Sequence, residues 1–194
     1  MKKSENIFLY LVVLGGRANK ANIELHDVRW VLGSKIEDTF DELRKGWFGN
    51  IEGLHIDSYK KINYVDGYKI TLKNIENNKL KDNKFYSVNN TRKNLWFVNI
   101  GGYDPSSMQE KHEFGLVVAS SKFEAKNIAK SKWLMNTKKK HKDDLASLKM
   151  LIGCDDCEPV KKIGNWEVEL TLETDLVEET NNPDWYGYKR IDKI

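Results

Sequence analysis

The chain has 194 residues, of which 40% are hydrophobic and 31% charged, and its formal net charge is +3. This balance is typical of a globular protein and argues against a disordered chain. The small net charge gives little support to a nucleic-acid partner. Cys154 and Cys157 are too few for a disulfide framework and suit a reducing compartment. We therefore expect a cytoplasmic protein.

The first element in chain order is an apolar run from Ile7 to Leu14 that ends in Gly15-Gly16. Because Lys2 and Lys3 precede this run, it has the outline of a signal peptide. The run is short, however, and no small-x-small cleavage site follows it. The same pattern recurs inside the chain, which favours a core strand. No run approaches the ~18 apolar residues that cross a bilayer, so we expect no membrane association.

An internal repeat of about ninety residues organises the whole chain. A shift of 86 residues carries Gly15-Gly16 to Gly101-Gly102, and it places all four histidines at matched positions. The other pairs related by this shift are Leu9 and Leu95, Val12 and Val98, Glu24 and Glu110, His26 and His112, Val31 and Val117, Trp47 and Trp133, His55 and His141, and Asp57 and Asp143. Rare histidine and tryptophan residues would not readily recur by chance at one shift. We predict a first module at 1–90 and a second at 91–194, forming one compact unit.

Two strands are predicted at the start of each copy. Phe8–Leu14 and Leu95–Ile100 are nearly continuous apolar runs, as in a strand that is buried on both faces. After a short loop, Val28–Leu32 and Phe114–Val118 have the same character and predict the second strand of each copy.

A helix is predicted after the second strand of each copy. Ser34 and Ser121, each followed three residues later by a glutamate, have the capping-box pattern of a helix N-terminus. Apolar residues at helical spacing follow both serines. They are Ile36, Phe40, Leu43 and Trp47 in the first copy and Ala125, Ala129 and Trp133 in the second.

Each copy is predicted to end in a hairpin. In the first copy, Leu54–Tyr64 and Tyr68–Leu72 flank the turn Asp66-Gly67. The matching turn, Gly164-Asn165, lies 98 residues further on, which predicts an insertion of about twelve residues near 146–157. The module is therefore strand-strand-helix-strand-strand. We predict an α+β fold of mostly antiparallel sheets, with the copies packed about a pseudo-twofold axis because each sheet must cover its apolar face.

Several strings in the chain resemble those of a small bacterial protein family. They are Leu14-Gly15-Gly16, Ala21 to Val28, Gly53 to Tyr59, Val98 to Pro105, His112 to Val118 and His141 to Asp144. They resemble a domain of unknown function, number 1543 in its series, whose module occurs in one or two copies. The resemblance extends from Ile7 to the aromatic tail Asp184–Tyr188 and implies a two-copy bacterial member. It implies no activity, substrate, cofactor or catalytic residue.

The first matched pair of candidate sites opens the second strand of each copy. Its strings are Glu24-Leu25-His26-Asp27 and Glu110-Lys111-His112-Glu113. A carboxylate beside an imidazole can fix its tautomer, act with it as a general base or complete a metal site. The alternative is structural, because the histidine could instead hydrogen-bond the Gly-Gly loop and hold the hairpin together.

The second matched pair is His55-Ile56-Asp57 and His141-Lys142-Asp143. Residues i and i+2 of a strand share a face and lie ~7 Å apart, so both can reach one ligand. If His26 meets His55 and Asp57, two imidazoles and carboxylates would make a metal or acid–base site. His141 lies in a charged run that is typical of a solvated segment. The first copy is therefore the better candidate.

Three other features suit structural roles better than chemical ones. A strand, not a helix, follows each of Gly15-Gly16 and Gly101-Gly102, so the dinucleotide and P-loop patterns are excluded. These glycines more readily serve a positive φ or a close backbone approach. Cys154 and Cys157 have CxxC spacing without a second pair, and the two intervening aspartates disfavour a redox role. The lysine-rich run 138–142 is typical of a solvated face.

The leading functional hypothesis is a non-catalytic binding or interaction protein whose partner is a small molecule or a protein, including a second copy of the chain. The alternative is a small hydrolytic or metal-assisted enzyme, with His26 or His112 as base or ligand and Asp57 or Asp143 in support. Nucleic-acid binding through 138–142 is a third hypothesis. No cofactor and no metal are assigned. The predicted ligand-binding residues are Gly15, Gly16, Glu24, His26, His55, Gly101, Gly102, Glu110, His112 and His141.

Overall fold

The computed structural model describes residues 6–76, 93–102, 106–133, 153–173 and 180–193. The first copy contains β1 (Phe8–Gly16), β2 (Leu25–Gly33), a 3₁₀ turn (Ile36–Thr39), α1 (Phe40–Gly46), β3 (His55–Ile62), β4 (Tyr64–Val65) and β5 (Tyr68–Asn74). The second contains β6 (Asn94–Gly102), β7 (Lys111–Ala119), α2 (Lys122–Lys132), β8 (Gly153–Pro159), β9 (Lys162–Ile163) and β10 (Trp166–Leu172), and β11 (Trp185–Arg190) follows. This mostly antiparallel arrangement with two short helices confirms the α+β class.

The described strands form three sheets. The first sheet has the order β11-β3-β1-β2, and the second has the order β7-β6-β8. The third, which we call the joining sheet, has the order β4-β5-β10-β9 and takes strands from both copies. Its central pair, β5 and β10, is antiparallel, and Thr71 lies opposite Glu169 at the middle of the register. The sheet pairing therefore links the two copies directly.

The joining sheet corrects the predicted hairpin. The sequence pairs Leu54–Tyr64 with Tyr68–Leu72, but β3 pairs with β1 in the first sheet instead. Only the two residues of β4 pair with β5 across the Asp66-Gly67 turn. An alternating apolar pattern shows which face of a strand is buried. It does not identify the neighbouring strand, because several neighbours can satisfy the same pattern.

The two helices begin differently. Ser121 is the N-cap of α2, and its hydroxyl accepts a hydrogen bond from the Glu124 amide at 3.2 Å, as predicted. In the first copy Lys35, not Ser34, is the cap residue, and the helix begins with the 3₁₀ turn. The carboxylate that accepts from the Ser34 amide belongs to Asp38, at 3.1 Å, and not to Glu37. Hydrogen bonding from Ser34 lowers the pKa of Asp38.

Three apolar clusters hold these layers together. One packs the inner face of the first sheet against α1, and another packs the second sheet against α2. The third is shared by the two copies and includes Leu9 of β1, Leu95 of β6, and Ile70 and Leu170 of the joining sheet. Trp30 and Phe97, from different copies, also meet there with their ring centroids 4.8 Å apart. Burial of this shared apolar surface favours close association of the copies.

Among the described residues, neither helix has the length or the apolar character that crossing a bilayer requires.

Candidate functional site

Three neighbouring strands of the first sheet place a row of residues side by side at one end of the sheet. Gly15 of β1 lies opposite His26 of β2 on one side and opposite His55 of β3 on the other. Directly paired residues of an antiparallel sheet point to the same face. Because glycine has no side chain, the two imidazoles of this row flank a gap. His26 and His55, which are separate candidates in the sequence, therefore lie at the same end of this sheet.

Gly15 is necessary because the site packs on its backbone. A Cβ at this position would lie 2.5 Å from Nε2 of His55 and 3.0 Å from Oδ2 of Asp57. The next residue, Gly16, faces the other side of the sheet, where its Cβ would lie 2.9 Å from the Trp47 ring. Neither glycine has a positive φ. Close backbone approach is therefore the reason for this Gly-Gly pair.

A β-bulge sets the position of Asp57. The β1–β3 register passes from Val13 opposite Ser58 to Leu14 opposite Ile56, so Asp57 has no partner on β1. The register with β11 is also irregular here, between Tyr186 and Lys189. Bulges change the direction of the inserted side chain and are common beside functional sites.

Asp57 joins the two histidines. Its Oδ1 lies 3.1 Å from Nε2 of His55, and its Oδ2 lies 3.3 Å from Nε2 of His26. Glu24, from the loop before β2, places Oε1 3.3 Å from the same Nε2 of His55. The four side chains make a continuous series of contacts from Glu24 to His55, Asp57 and His26. We call them the histidine–carboxylate cluster.

His55 is held in one orientation. Its side chain is only 2% exposed, and its Nδ1 lies 2.8 Å from the carbonyl oxygen of Gly53. A carbonyl oxygen can only accept, so Nδ1 carries the hydrogen and donates it. The ring of Tyr188, from β11, covers His55 with the ring centroids 4.0 Å apart. As a result, Nε2 of His55 must point toward the carboxylates of the cluster.

The C-terminal segment secures the Gly53 turn on which His55 rests. Oδ2 of Asp192 accepts a hydrogen bond of 2.8 Å from the Gly53 amide. The Nε of Arg190 donates to Asp192 at 3.0 Å. These two donors hold the pKa of Asp192 well below its ordinary value. Sequence reasoning missed both Arg190 and Asp192 because they lie far from His55 along the chain and carry no motif.

The cluster is open to solvent on one side. The side chain of His26 is 56% exposed, that of Glu24 42% and that of Asp57 30%. Its members form a series and do not yet surround one centre. In the part of the chain that the structure describes, no three His, Cys, Asp or Glu side chains are grouped as ligands of a metal ion.

The second copy differs at the corresponding place. Gly101 lies opposite His112 on β7, and Nε2 of His112 is 3.7 Å from Oε2 of Glu110. On the other side Gly101 lies opposite Gly153 of β8. The position that holds His55 in the first copy therefore holds a glycine in the second.

This register corrects the predicted match between His55 and His141. β8 pairs with β6 as β3 pairs with β1, and Asp155 lies at the bulge, as Asp57 does. By this register the extra residues of the second copy precede β8, between Trp133 and Gly153, so the predicted insertion near 146–157 extends too far, into β8. His141 and Asp143 lie outside the described residues, as does the lysine-rich run 138–142.

The CxxC pair was also misplaced by the sequence alignment. Cys154 and Cys157 belong to β8 and not to an insertion. Cys157 is buried in the core beneath α2, and its Sγ lies 3.8 Å from the carbonyl oxygen of Lys122. The expectation that the CxxC spacing is incidental stays a prediction.

The repeated strand-strand-helix order defines this protein as a two-copy α+β protein. Its first copy carries the cluster of two histidines and two carboxylates. The family model described as "Domain of Unknown Function (DUF1543)" matches residues 21–72 and 107–160, which together exceed half of the chain. The chain therefore belongs to this family, as the resemblance indicated.

The fold is also similar to that of a solved structure, described as the crystal structure of a protein Il1583 from Idiomarina loihiensis. The two sequences are 32% identical, and the match covers 96% of this chain and 98% of that chain with a TM-score of 0.66. A search of curated proteins found no match.

Proposed function

We propose that the chain is a non-catalytic binding protein whose site, the histidine–carboxylate cluster of the first copy, takes a small positively charged ligand. One observation carries this proposal. Two carboxylates and the Nε2 atoms of two histidines form one continuous series beside Gly15, with separations of 3.1–3.3 Å between successive members. Such a concentration of acceptor atoms favours a cation.

The orientation of His55 explains why this cluster favours a cation. Because Nδ1 donates to Gly53, a neutral His55 ring presents only the lone pair of Nε2 to Asp57 and Glu24. Three acceptors that face one another in a partly buried place repel. Either a proton on Nε2 or a bound cation removes this repulsion, and a bound cation also balances the charge of both carboxylates.

The surroundings of the cluster suit ligand access. Glu24 and His26 lie at its exposed end, so a ligand can reach them without a large movement. The exposed ring of Tyr188 adjoins His55 and offers an aromatic surface beside the two carboxylates. Carboxylates with a neighbouring aromatic ring are a common environment for cations.

Binding is favoured over nucleophilic catalysis by the contacts of the histidines. Within the described residues, His26 and His55 contact carboxylates, a backbone carbonyl and the Tyr188 ring. Apart from the phenol of Tyr188, which contacts His55 through its ring, none of these partners carries a hydroxyl or a thiol that could serve as an activated nucleophile.

Thermal unfolding with and without cations tests the proposal. A ligand at about 100 times its Kd should add about 2.7 kcal/mol of stability, which raises the Tm by roughly 5–11 °C for a chain of this size. We expect such a rise with inorganic or organic cations and none with phosphate or acetate. Glu24→Gln and His26→Ala should abolish it, whereas His112→Ala in the second copy should not. A panel of cations that leaves the Tm unchanged would overturn the proposal.

A second candidate function is acid–base chemistry at His26. Asp57 holds Nε2 of His26, so the half-exposed ring has its other nitrogen available to a substrate. A hydrolytic activity that is lost in His26→Ala and in Asp57→Asn, with the fold intact, would favour this alternative. Retention of that activity in both variants would exclude it.

We also propose that the two copies form one folding unit with pseudo-twofold symmetry. Thr71 and Glu169 are equivalent under the 98-residue shift, and they face each other at the centre of the β5–β10 pair. Antiparallel pairing about equivalent residues is what a twofold axis at that point produces. Residues 1–90 expressed alone should therefore fail to unfold cooperatively, and a stable, cooperative fragment would contradict the proposal.

A further inference from the structure

We infer that the positively charged ligand of the histidine–carboxylate cluster is a divalent transition-metal ion. This inference rests on the proposed function and names the chemical class of its ligand. Its donor set would be Nε2 of His26, Nε2 of His55, and carboxylate oxygens of Asp57 and Glu24.

Successive donor atoms of the cluster are spaced as neighbouring ligands of a metal ion are, although the described side chains do not yet surround one centre. Tetrahedral ligands with bonds of about 2.0–2.1 Å lie roughly 3.3 Å from one another. In the cluster the successive separations are 3.3 Å from Glu24 to His55, 3.1 Å from His55 to Asp57 and 3.3 Å from Asp57 to His26. Hydrogen bonds between nitrogen and carboxylate oxygen are usually shorter, about 2.7–2.9 Å when charge-assisted.

The support behind His55 is typical of a metal ligand. Histidines that bind metal through one ring nitrogen generally donate the other N–H to a carbonyl or a carboxylate, which fixes the tautomer. His55 does so through Nδ1 to Gly53, and Asp192 in turn holds the Gly53 amide. The lone pair of Nε2 is therefore directed into the cluster before any ion arrives.

Closing the series of contacts around one centre requires movement only at its exposed end. His55 is fixed by burial, and Asp57 is fixed by the bulge and by the backbone of Gly15. Glu24 and His26 are about half exposed, so their side chains can rotate toward the two fixed ligands. We therefore expect the ion to order Glu24 and His26 when it binds.

The donor types select the metal. Imidazole nitrogen with carboxylate oxygen suits zinc, nickel, cobalt and iron(II), whereas calcium and magnesium prefer oxygen donors alone. In the described part of the second copy, Gly153 occupies the register position that His55 holds in the first. We expect one ion per chain, bound in the first copy.

The experiment uses untagged full-length protein that has been treated with a chelator. Isothermal titration with zinc(II) and cobalt(II) should give one equivalent per chain, and the visible spectrum of bound cobalt should show four-coordinate nitrogen and oxygen ligation. Glu24→Gln and His26→Ala, both at exposed positions, should each weaken zinc binding 10-fold or more. Glu110→Gln and His112→Ala are the matched controls and should leave the affinity within 2-fold. Circular dichroism checks that each variant is folded.

The outcomes separate this inference from the proposed function. If zinc and cobalt do not bind but an organic cation such as agmatine does, and Glu24→Gln removes that binding, the metal assignment fails and the proposed function stands. If neither class of cation binds, both fail. Zinc binding that is unaffected by Glu24→Gln and His26→Ala, or is lost in His112→Ala, would place the ion elsewhere and overturn the inference.

Discussion

Replacement of Gly15 by alanine tests whether the site is built on the missing side chain of that residue. The new Cβ would lie 2.5 Å from Nε2 and 2.9 Å from Cε1 of His55, and 3.0 Å from Oδ2 of Asp57. His55 cannot move away easily, because it is buried, bonded to Gly53 at 2.8 Å and covered by the Tyr188 ring. The substitution should therefore displace the imidazole or distort β1.

The expected cost follows from these contacts. Overpacking a well-packed site costs about 1–3 kcal/mol, and loss of the hydrogen bond from His55 to Gly53 adds about 1 kcal/mol. Together they amount to roughly 2–4 kcal/mol. For a chain of this size such a loss lowers the Tm by roughly 5–15 °C.

A double-mutant cycle with His55→Ala tests whether the clash with His55 causes the loss of stability in Gly15→Ala. Urea denaturation of the wild type, both single variants and the double variant gives the interaction energy. If the clash with His55 is the reason, Gly15→Ala should cost at least about 1 kcal/mol less when residue 55 is alanine. Gly101→Ala is the matched control, because Gly101 lies opposite Gly153 at the register position where Gly15 lies opposite His55. An additive cycle, or an equal loss in Gly101→Ala, would refute the reasoning.

Further predictions concern the elements around the site and between the copies. Asp192→Asn should destabilise the protein at pH 7, and its difference from the wild type in urea denaturation should shrink below about pH 4. The pKa of Asp192 is lowered in the folded state, so its carboxylate stabilises the fold at any pH above the pKa that it has in the unfolded chain. This stabilisation is lost as the pH falls toward the folded-state pKa. A difference in unfolding free energy that stays constant with pH would contradict the prediction. Asp66→Ala should lower the free energy of unfolding by about 1–3 kcal/mol, because it removes the acceptor that lies 2.8 Å from the Val118 amide. Lys132→Ala, which removes only the ion-pair partner of Asp66, should cost less than about 1 kcal/mol. Equal losses in chemical denaturation would count against this prediction. Trp47→Phe should cost about 1–3 kcal/mol, since it removes the 3.0 Å donor to the Asn50 carbonyl and part of a buried ring, and a Tm unchanged within a degree would argue otherwise.

Much of the site could be read from local residue patterns. The matched strings around Gly15, Glu24 and His26 identified the correct end of the first two strands, because periodicity and glycine placement are local properties. His55-x-Asp57 was identified as a second candidate pair. Its convergence with His26 could not be derived, since it depends on β1 lying between β2 and β3.

Other predictions were wrong because they concern the pairing of strands that lie far apart along the chain. The match between His55 and His141 followed sequence spacing, but the register of β8 on β6 assigns Gly153 to that place. A short string of identical residues is weaker evidence of equivalent positions than a ladder of backbone hydrogen bonds. The ladder fixes the position of every residue of the strand at once. For the same reason the CxxC pair belongs to a core strand and not to an insertion.

The residue pattern alone shows that the chain contains two copies of one α+β module. It also shows which residue types each copy carries at its strand ends. Its apolar periods and repeated glycines are enough for that conclusion, because they record local backbone preference and burial. Only the tertiary structure decided which strands are neighbours. That choice brings Gly15, His26, His55 and Asp57 together and lets Tyr188 cover the buried imidazole. It also puts Gly153 of the second copy at the register position that His55 holds in the first. Such pairings depend on how whole apolar faces cover one another, and no local pattern encodes that arrangement.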